Sequence, residues 1–176
     1  MAETEISEIE SLVSVISSEE VRNETRLKLY IELVNEKKGN VKLPEPYVDE
    51  TINYCEKKFD ETEISDGGTT PTYFLIYAAR IAKHAGRTEQ ARQLYEKAVN
   101  FEDEHGYDHA AAVLAREAGM KTKARELYGK ILLSYEEIRD FVNAAQIAEE
   151  AGMPEKAKEY RVLEEKLKKL PPHFRY

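Results

Sequence analysis

Ile81-Ala82-Lys83-His84-Ala85-Gly86 returns as Leu114-Ala115-Arg116-Glu117-Ala118-Gly119 and again as Ile147-Ala148-Glu149-Glu150-Ala151-Gly152. Positions 81, 114 and 147 are each 33 residues apart, and the copies align without a gap. In this register, six columns hold the same small residue, Ala or Gly, in all three copies. Self-similarity at such a period is typical of folds built from repeated supersecondary units. The sequence therefore predicts three 33-residue repeats over residues 71–170.

Each copy has the pattern of two helices separated by its glycine. In the first helix, Ala78, Ala82 and Ala85 follow i, i+4, i+7 spacing, which places three methyl groups in one stripe. The glycine provides the left-handed residue that ends a helix. The second helix carries an apolar stripe at Ala91, Leu94, Tyr95 and Ala98, which returns as Ala124, Leu127, Tyr128 and Ile131. We therefore expect an all-α fold in which helix pairs stack on one another.

The third copy is predicted to end the array. Arg161 stands in the column of Tyr95 and Tyr128, and Glu164 stands in the column of Ala98 and Ile131, so the outer face is polar, as a terminal repeat requires. Its second helix is expected to start at Pro154 and to stop before Pro171. A narrow apolar seam remains along it, formed by Tyr160, Leu163, Leu167 and Leu170. This seam either packs on the preceding pair or joins copies of the chain, so the terminal helices are candidates for a homo-oligomer contact.

The first sixty residues lack the repeat but have the pattern of about three helices. One stripe contains Ile6, Ile9, Val13 and Ile16, and a third helix carries Val48, Ile52, Cys55 and Phe59. Between them, Ser17 and Glu20 have the spacing of a capping box that opens a second helix. The predicted organisation is an acidic helical segment over 1–60, a linker over 61–70, the repeats over 71–170 and a tail over 171–176.

Composition excludes several classes of protein. The 176 residues include 26 Lys and Arg against 34 Asp and Glu, a formal net charge of −8, so the chain is a poor general binder of DNA. Cys55 is the only cysteine, which rules out an intramolecular disulfide and favours a reducing compartment. The longest apolar run, 73–79, is far too short to span a membrane. We expect a cytoplasmic protein without membrane contact.

The helix pairs resemble the tetratricopeptide repeat (TPR), whose pattern places small residues in the first helix, a glycine at the turn, then an alanine and an aromatic residue. The positions that match are Gly86, Ala91, Tyr95 and Ala98; Gly119, Ala124 and Tyr128; and Gly152 and Ala157. The spacing is 33 rather than the usual 34, and related helical solenoids share these features. The resemblance implies a right-handed array of antiparallel helix pairs, a TPR-like α-solenoid.

In that family the first helices line a groove that holds a peptide or helix of a partner protein. The resemblance assigns this groove to Ile76, Arg80, Lys83 and His84 in the first copy, His109, Val113, Arg116 and Glu117 in the second, and Val142, Gln146, Glu149 and Glu150 in the third. Charge along these columns changes from basic to acidic, which would orient a polar partner. Two alternatives stay open: an ordinary solvated face, and a groove filled by the acidic N-terminal helices.

Little in the sequence points to chemistry. His105 and His109 are four residues apart beside several carboxylates, so an all-helical metal-binding protein or metal-dependent enzyme is one alternative, but Gly106 predicts a helix break between them. The basic, aromatic tail over 166–176 offers a weak RNA contact, with a frayed terminus as the plain alternative. No spacing suggests a catalytic group or a cofactor. The sequence favours a non-catalytic adaptor that binds another protein or a peptide.

Overall fold

The computed structural model describes residues 2–36, 45–62 and 71–169. Every regular element in these ranges is an α-helix, which confirms the all-α class. The helices are α1 Ala2–Ser14, α2 Glu19–Glu36, α3 Glu45–Glu61, α4 Thr72–His84, α5 Thr88–Glu104, α6 Asp108–Glu117, α7 Lys121–Glu137, α8 Phe141–Glu150 and α9 Pro154–Lys168. The predicted tail 171–176, residues 63–70 of the predicted linker and Leu170 of the seam lie outside the described residues.

The chain divides into two compact units, Met1–Ala98 and Val99–Tyr176. The division falls inside α5. In the first unit, α3 packs on α4, and α2 contacts α1, α3 and α4. In the second unit, α6 packs on α7, α7 on α8, and α8 on α9.

The predicted stripes of the first unit are partly or fully buried, with Ile9 and Ile16 half-buried in the first stripe. Ile6 and Val13 are buried on α1, and the third-helix stripe, from Val48 to Phe59, is buried on α3. The predicted helix start at Ser17 is wrong by one residue. Helix α2 begins at Glu19, and the hydroxyl of Ser18 accepts the hydrogen bond from the Val21 amide at 3.5 Å. Ser18 is therefore the N-cap of α2, because its side-chain oxygen is the one that accepts from the amide three residues further on.

A buried arginine joins the first three helices. Arg26 of α2 is 4% exposed, and its guanidinium donates to Glu10 of α1 at 3.0 Å and to Glu50 of α3 at 2.6 Å. The Tyr30 hydroxyl donates to the same Glu10 carboxylate at 2.5 Å. A buried charge is tolerated only when it is paired and hydrogen-bonded. This polar cluster therefore fixes the relative positions of α1, α2 and α3.

Glycine ends the first helix of each pair, as predicted. Gly86, Gly119 and Gly152 have φ of 80°, 74° and 70°, in the left-handed region that glycine adopts at little cost. At the end of α6, the amide of Met120 donates to the Ala115 carbonyl at 2.8 Å and the amide of Gly119 to the Arg116 carbonyl at 3.0 Å. This is a Schellman motif, and it satisfies carbonyls that the helix end leaves free.

The first two alanines of each stripe face the interior, as their spacing predicts, and the third, Ala85, Ala118 or Ala151, is half-buried beyond the helix end. Ala78 and Ala82 on α4, Ala111 and Ala115 on α6, and Ala144 and Ala148 on α8 are all 0% exposed. In the second unit, Leu132 of α7 and Tyr160 of α9 join the α8 alanines in one core cluster. Methyl-sized side chains allow helix backbones to approach closely, so α8 fits between α7 and α9.

The outer side of the last helix is mixed, with Arg161 and the apolar Val162 both exposed. Arg161 and Leu163 are exposed on α9, whereas Tyr160 is 3% exposed and packs towards α8. Leu167 is half-buried. The apolar seam is thus divided, with its first residue in the core of the second unit and Leu163 at the edge of the solvent-facing surface.

Candidate functional site

The structure brings together the predicted groove residues of α6 and α8. On each helix they follow i, i+4, i+7, i+8 spacing, so they share one face. That face lies opposite the buried alanine stripe. We call it the α6–α8 face, and its members are His109, Val113, Arg116 and Glu117 on α6 and Val142, Gln146, Glu149 and Glu150 on α8.

Glu150, the last residue of α8, is the centre of the contacts on this face. Its Oε2 lies 2.8 Å from Nε2 of His109, and its Oε1 accepts a hydrogen bond from the Tyr128 hydroxyl at 3.0 Å. Its backbone carbonyl accepts a hydrogen bond from Nη1 of Arg116 at 2.6 Å. One residue therefore ties the end of α8 to both α6 and α7.

The electrostatics favour the ionised carboxyl of Glu150 and the neutral phenol of Tyr128 near neutral pH. Burial raises the pKa of Glu150, but the hydrogen bonds from His109 and Tyr128 outweigh it, so the pKa of this carboxyl is lowered. Burial and the bond to Glu150 raise the pKa of Tyr128 to about 12. A carboxylate and a phenol with these shifts are poor proton donors and acceptors near neutral pH. The cluster is suited to holding helices together.

Glu149 and Arg116 also have charged or aromatic partners. Glu149 forms an ion pair with Arg161 of α9. The guanidinium of Arg116 lies 5.9 Å from the centre of the Tyr128 ring, within cation–π range, and 3.6 Å from Glu150 Oε1. The sequence pattern does not identify Tyr128 or Arg161 as partners of this face, because both lie on second helices.

Between the charged residues the face is apolar or neutral. Val142 is 46% exposed, Gln146 is exposed, and Val113 is half-buried. An exposed valine on a regular helix contributes apolar surface that a partner can cover. The face thus offers aliphatic and amide groups between charged residues.

The groove residues assigned to the first copy lie on α4 in the first unit. Lys83 is exposed, and Ile76, Arg80 and His84 are half-buried. Their i, i+4, i+7, i+8 spacing places them on one face of α4.

His105 and His109 are directed to different partners. His105 Nδ1 lies 2.7 Å from the Phe101 carbonyl, and its ring stacks on that of Phe101 with a centroid distance of 4.1 Å. His109 contacts Glu150. Gly106 has φ of 78° and separates α5 from α6, which confirms the predicted helix break. Among the described residues, no three His, Cys, Asp or Glu side chains are grouped so as to hold a metal ion.

The first unit has a cleft that could not be predicted from the sequence. A cleft of about 800 Å³ lies between α2 and α3. Lys58 pairs across it with Glu20, and Arg26 pairs with Glu50. No motif marks the cleft, because it arises from the way two helices diverge. Its lining is Glu19, Glu20, Arg22, Asn23, Arg26, Glu50, Asn53, Tyr54, Lys57, Lys58 and Glu61.

Comparison with known proteins assigns the chain to no family. No protein-family model, no functionally described protein and no solved structure matches it. Over the described ranges, no helix has both the length and the apolar character needed to cross a bilayer.

Proposed function

We propose that the chain is a non-catalytic adaptor that binds a segment of another protein on the α6–α8 face. The observation that carries the proposal is the contrast between the two sides of these helices. Ala115 and Ala148 are 0% exposed on the packed side, whereas Val142 is 46% exposed on the other. Helices that are packed on one face can present the opposite face to a partner, and binding then does not have to supply the free energy of ordering them.

A TPR-like arrangement is part of this proposal. Helices α5, α7 and α9 begin at Thr88, Lys121 and Pro154, each 33 residues after the last. Helices α4, α6 and α8 end at the same 33-residue interval, each followed by a left-handed glycine. Helix starts, helix ends and turns that repeat at one interval support a right-handed array of equivalent antiparallel pairs, in which first helices share one side.

Two further elements of the proposal concern context. A cytoplasmic location is favoured by the single cysteine, and the proposal includes no cofactor because the sequence has no catalytic spacing. Contacts between copies of the chain through the terminal helices are supported by Val162 and Leu163, which are 53% and 39% exposed on α9.

Affinity capture with matched variants tests the adaptor proposal. The full chain is used as bait in lysate of its native cells, beside Val142→Glu on the α6–α8 face and Leu133→Glu on α7. Leu133 is 58% exposed, so both substitutions place a charge at an exposed apolar position. We expect a captured protein to be lost with Val142→Glu and kept with Leu133→Glu. Equal capture by all three baits would exclude this face.

The acidic front end is the competing docking region, and a fourth bait distinguishes it. Asn53→Arg puts a bulky charge at an exposed position of the α2–α3 cleft. Loss of the partner with this variant, together with retention by Val142→Glu, would place the interaction on the first unit instead.

The two remaining alternatives have direct tests. A metal protein centred on His105 and His109 requires that zinc raises the melting temperature, and that His109→Gln abolishes the rise. An RNA contact through residues 166–176 requires binding that weakens with salt and disappears when the segment is deleted. Its residues 170–176 lie outside the described part of the chain.

A further inference from the structure

Helix α9 is packed on one side and uncovered on the other. On the packed side, Tyr160 is 3% exposed and belongs to the core cluster of the second unit. On the other side, Val162 is 53% exposed and Leu163 is 39% exposed. Positions 159, 162, 163 and 166 follow the i, i+3, i+4, i+7 spacing of one helix face. We call this surface the α9 outer face, and its members are Glu159, Val162, Leu163 and Lys166.

The two charges of the α9 outer face differ from the other charges of the helix. The remaining charged side chains of α9 have ion partners, which are Glu155 with Lys158, Lys156 with Glu136, Arg161 with Glu149, and Lys168 with Glu164 and Glu165. Glu159 and Lys166 are both exposed, and neither forms an ion pair within the described part of the chain. A partner that covers the exposed valine and leucine therefore meets one negative charge before them in sequence and one positive charge after them.

A second copy of the chain matches this arrangement. A two-fold axis midway between positions 162 and 163 places Val162 level with Leu163 of the second copy. The same axis places Glu159 level with Lys166 of the second copy, because positions 159 and 166 are equally far from the midpoint. By symmetry each contact occurs twice. Parallel helices would instead bring Glu159 against Glu159 and Lys166 against Lys166, which is repulsive. The α9 outer face is thus self-complementary for antiparallel helices.

We propose that two copies of the chain pair through the α9 outer face, with antiparallel α9 helices related by a two-fold axis between positions 162 and 163. This inference rests on the contact between copies that the proposed function includes, and it is independent of the α6–α8 face. Val162 and Leu163 supply the apolar centre of the contact. The flanking ion pairs set its direction and register, since exposed ion pairs contribute little free energy.

The size of the contact predicts a weak dimer. Helix α9 has 15 residues and is therefore about 22 Å long. One helix face per copy buries less than the roughly 800 Å² per partner of a standard interface. Sedimentation equilibrium at high protein concentration is suited to such an association.

Charge reversal in the full chain tests the pairing. We expect Glu159→Lys and Lys166→Glu each to raise the Kd of the dimer by about tenfold, because symmetry replaces two attractive contacts by two repulsive ones. Both reversals in one chain should restore the dimer. Mixing the two single variants should also restore it, since every contact between positions 159 and 166 then joins opposite charges. Parallel helices predict instead that the single reversals leave the Kd unchanged.

A matched pair of variants tests the apolar centre. Val162→Glu should raise the Kd by about tenfold, whereas Leu133→Glu, at an exposed position of α7, should leave it unchanged. A chain that stays monomeric at every concentration would overturn the contact between copies and leave the α6–α8 face untouched. A dimer whose Kd ignores the single charge reversals would overturn only the antiparallel pairing of α9. Melting temperatures equal to that of the unmodified chain show that each variant is folded.

Discussion

Arg139 has the left-handed backbone conformation that Gly106 has 33 residues earlier, with φ of 57° and 78°. Both residues close a Schellman motif between two helices. The amide of Asp140 donates to the Tyr135 carbonyl at 2.9 Å, and the amide of Tyr107 donates to the Glu102 carbonyl at 2.8 Å. Among the described residues other than glycine, Arg139 is the one with positive φ. A side chain with a Cβ is strained in this region.

Replacing Arg139 with glycine should therefore stabilise the chain. We expect Arg139→Gly to increase the free energy of unfolding by about 1 kcal/mol, measured by urea denaturation. Arg139→Asn should have a smaller effect of the same sign, because asparagine tolerates the left-handed region better than other residues with a side chain. The reverse change, Gly106→Ala, should destabilise by a similar amount, and only through the backbone, since an added Cβ meets no atom within 4 Å. An unchanged free energy of unfolding for Arg139→Gly would contradict the prediction that the backbone of Arg139 is strained.

Enlarging an alanine of the packed stripe should destabilise the second unit. Ala115 is 0% exposed on α6, and we expect Ala115→Leu to lower the free energy of unfolding by about 1–3 kcal/mol through overpacking. Ala110→Leu is the matched control, because Ala110 is exposed on the same helix. Thermal unfolding followed by circular dichroism compares the two. Equal melting temperatures would show that the Ala115 methyl faces water.

The carboxylate of Asp103 should make stability depend on acid pH. The hydrogen bond from Lys123 at 2.8 Å lowers the pKa of Asp103. Burial raises this pKa, and the hydrogen bond from Lys130 at 3.4 Å lowers it further, so the pKa is lowered on balance. A carboxyl whose folded pKa is lowered contributes stability that is fully present above its unfolded value, about 3.9, and is lost as the pH falls through the folded pKa.

Asp103→Asn should accordingly be less stable than the parent at pH 7, with the difference shrinking below about pH 4. Urea midpoints measured from neutral to acid pH give both curves. Glu126→Gln, at an exposed position of α7, controls for the loss of one negative charge. Parallel curves for Asp103→Asn and the parent would show that the ion pair adds nothing to the pH dependence.

Cys55 should be unreactive while the chain is folded. Its side chain is 0% exposed on α3, and burial raises the pKa of the thiol to about 12. Thiols react as thiolates, so Ellman's reagent at pH 8 should label Cys55 only at the rate at which the first unit opens. Ser11→Cys, at an exposed position of α1, supplies the fast-reacting control. Labelling of Cys55 as fast as that control would contradict its burial.

The local architecture could be predicted from the sequence because it depends on short-range rules. Three glycines 33 residues apart set the helix ends, since only glycine adopts the left-handed region without cost. Alanines spaced four and then three residues apart set the packed side of each first helix, since that spacing returns to one face. Both features are determined by the backbone and the helical period.

Contacts between helices had to come from the tertiary structure. Glu150 lies 41 positions from His109 and 34 from Arg116, and in the sequence all three resemble ordinary solvated residues of a helix face. Arg26, which is 96% buried, has no sequence signal that distinguishes it from an exposed arginine. Pairing and burial of such groups depend on how neighbouring helices are placed against one another.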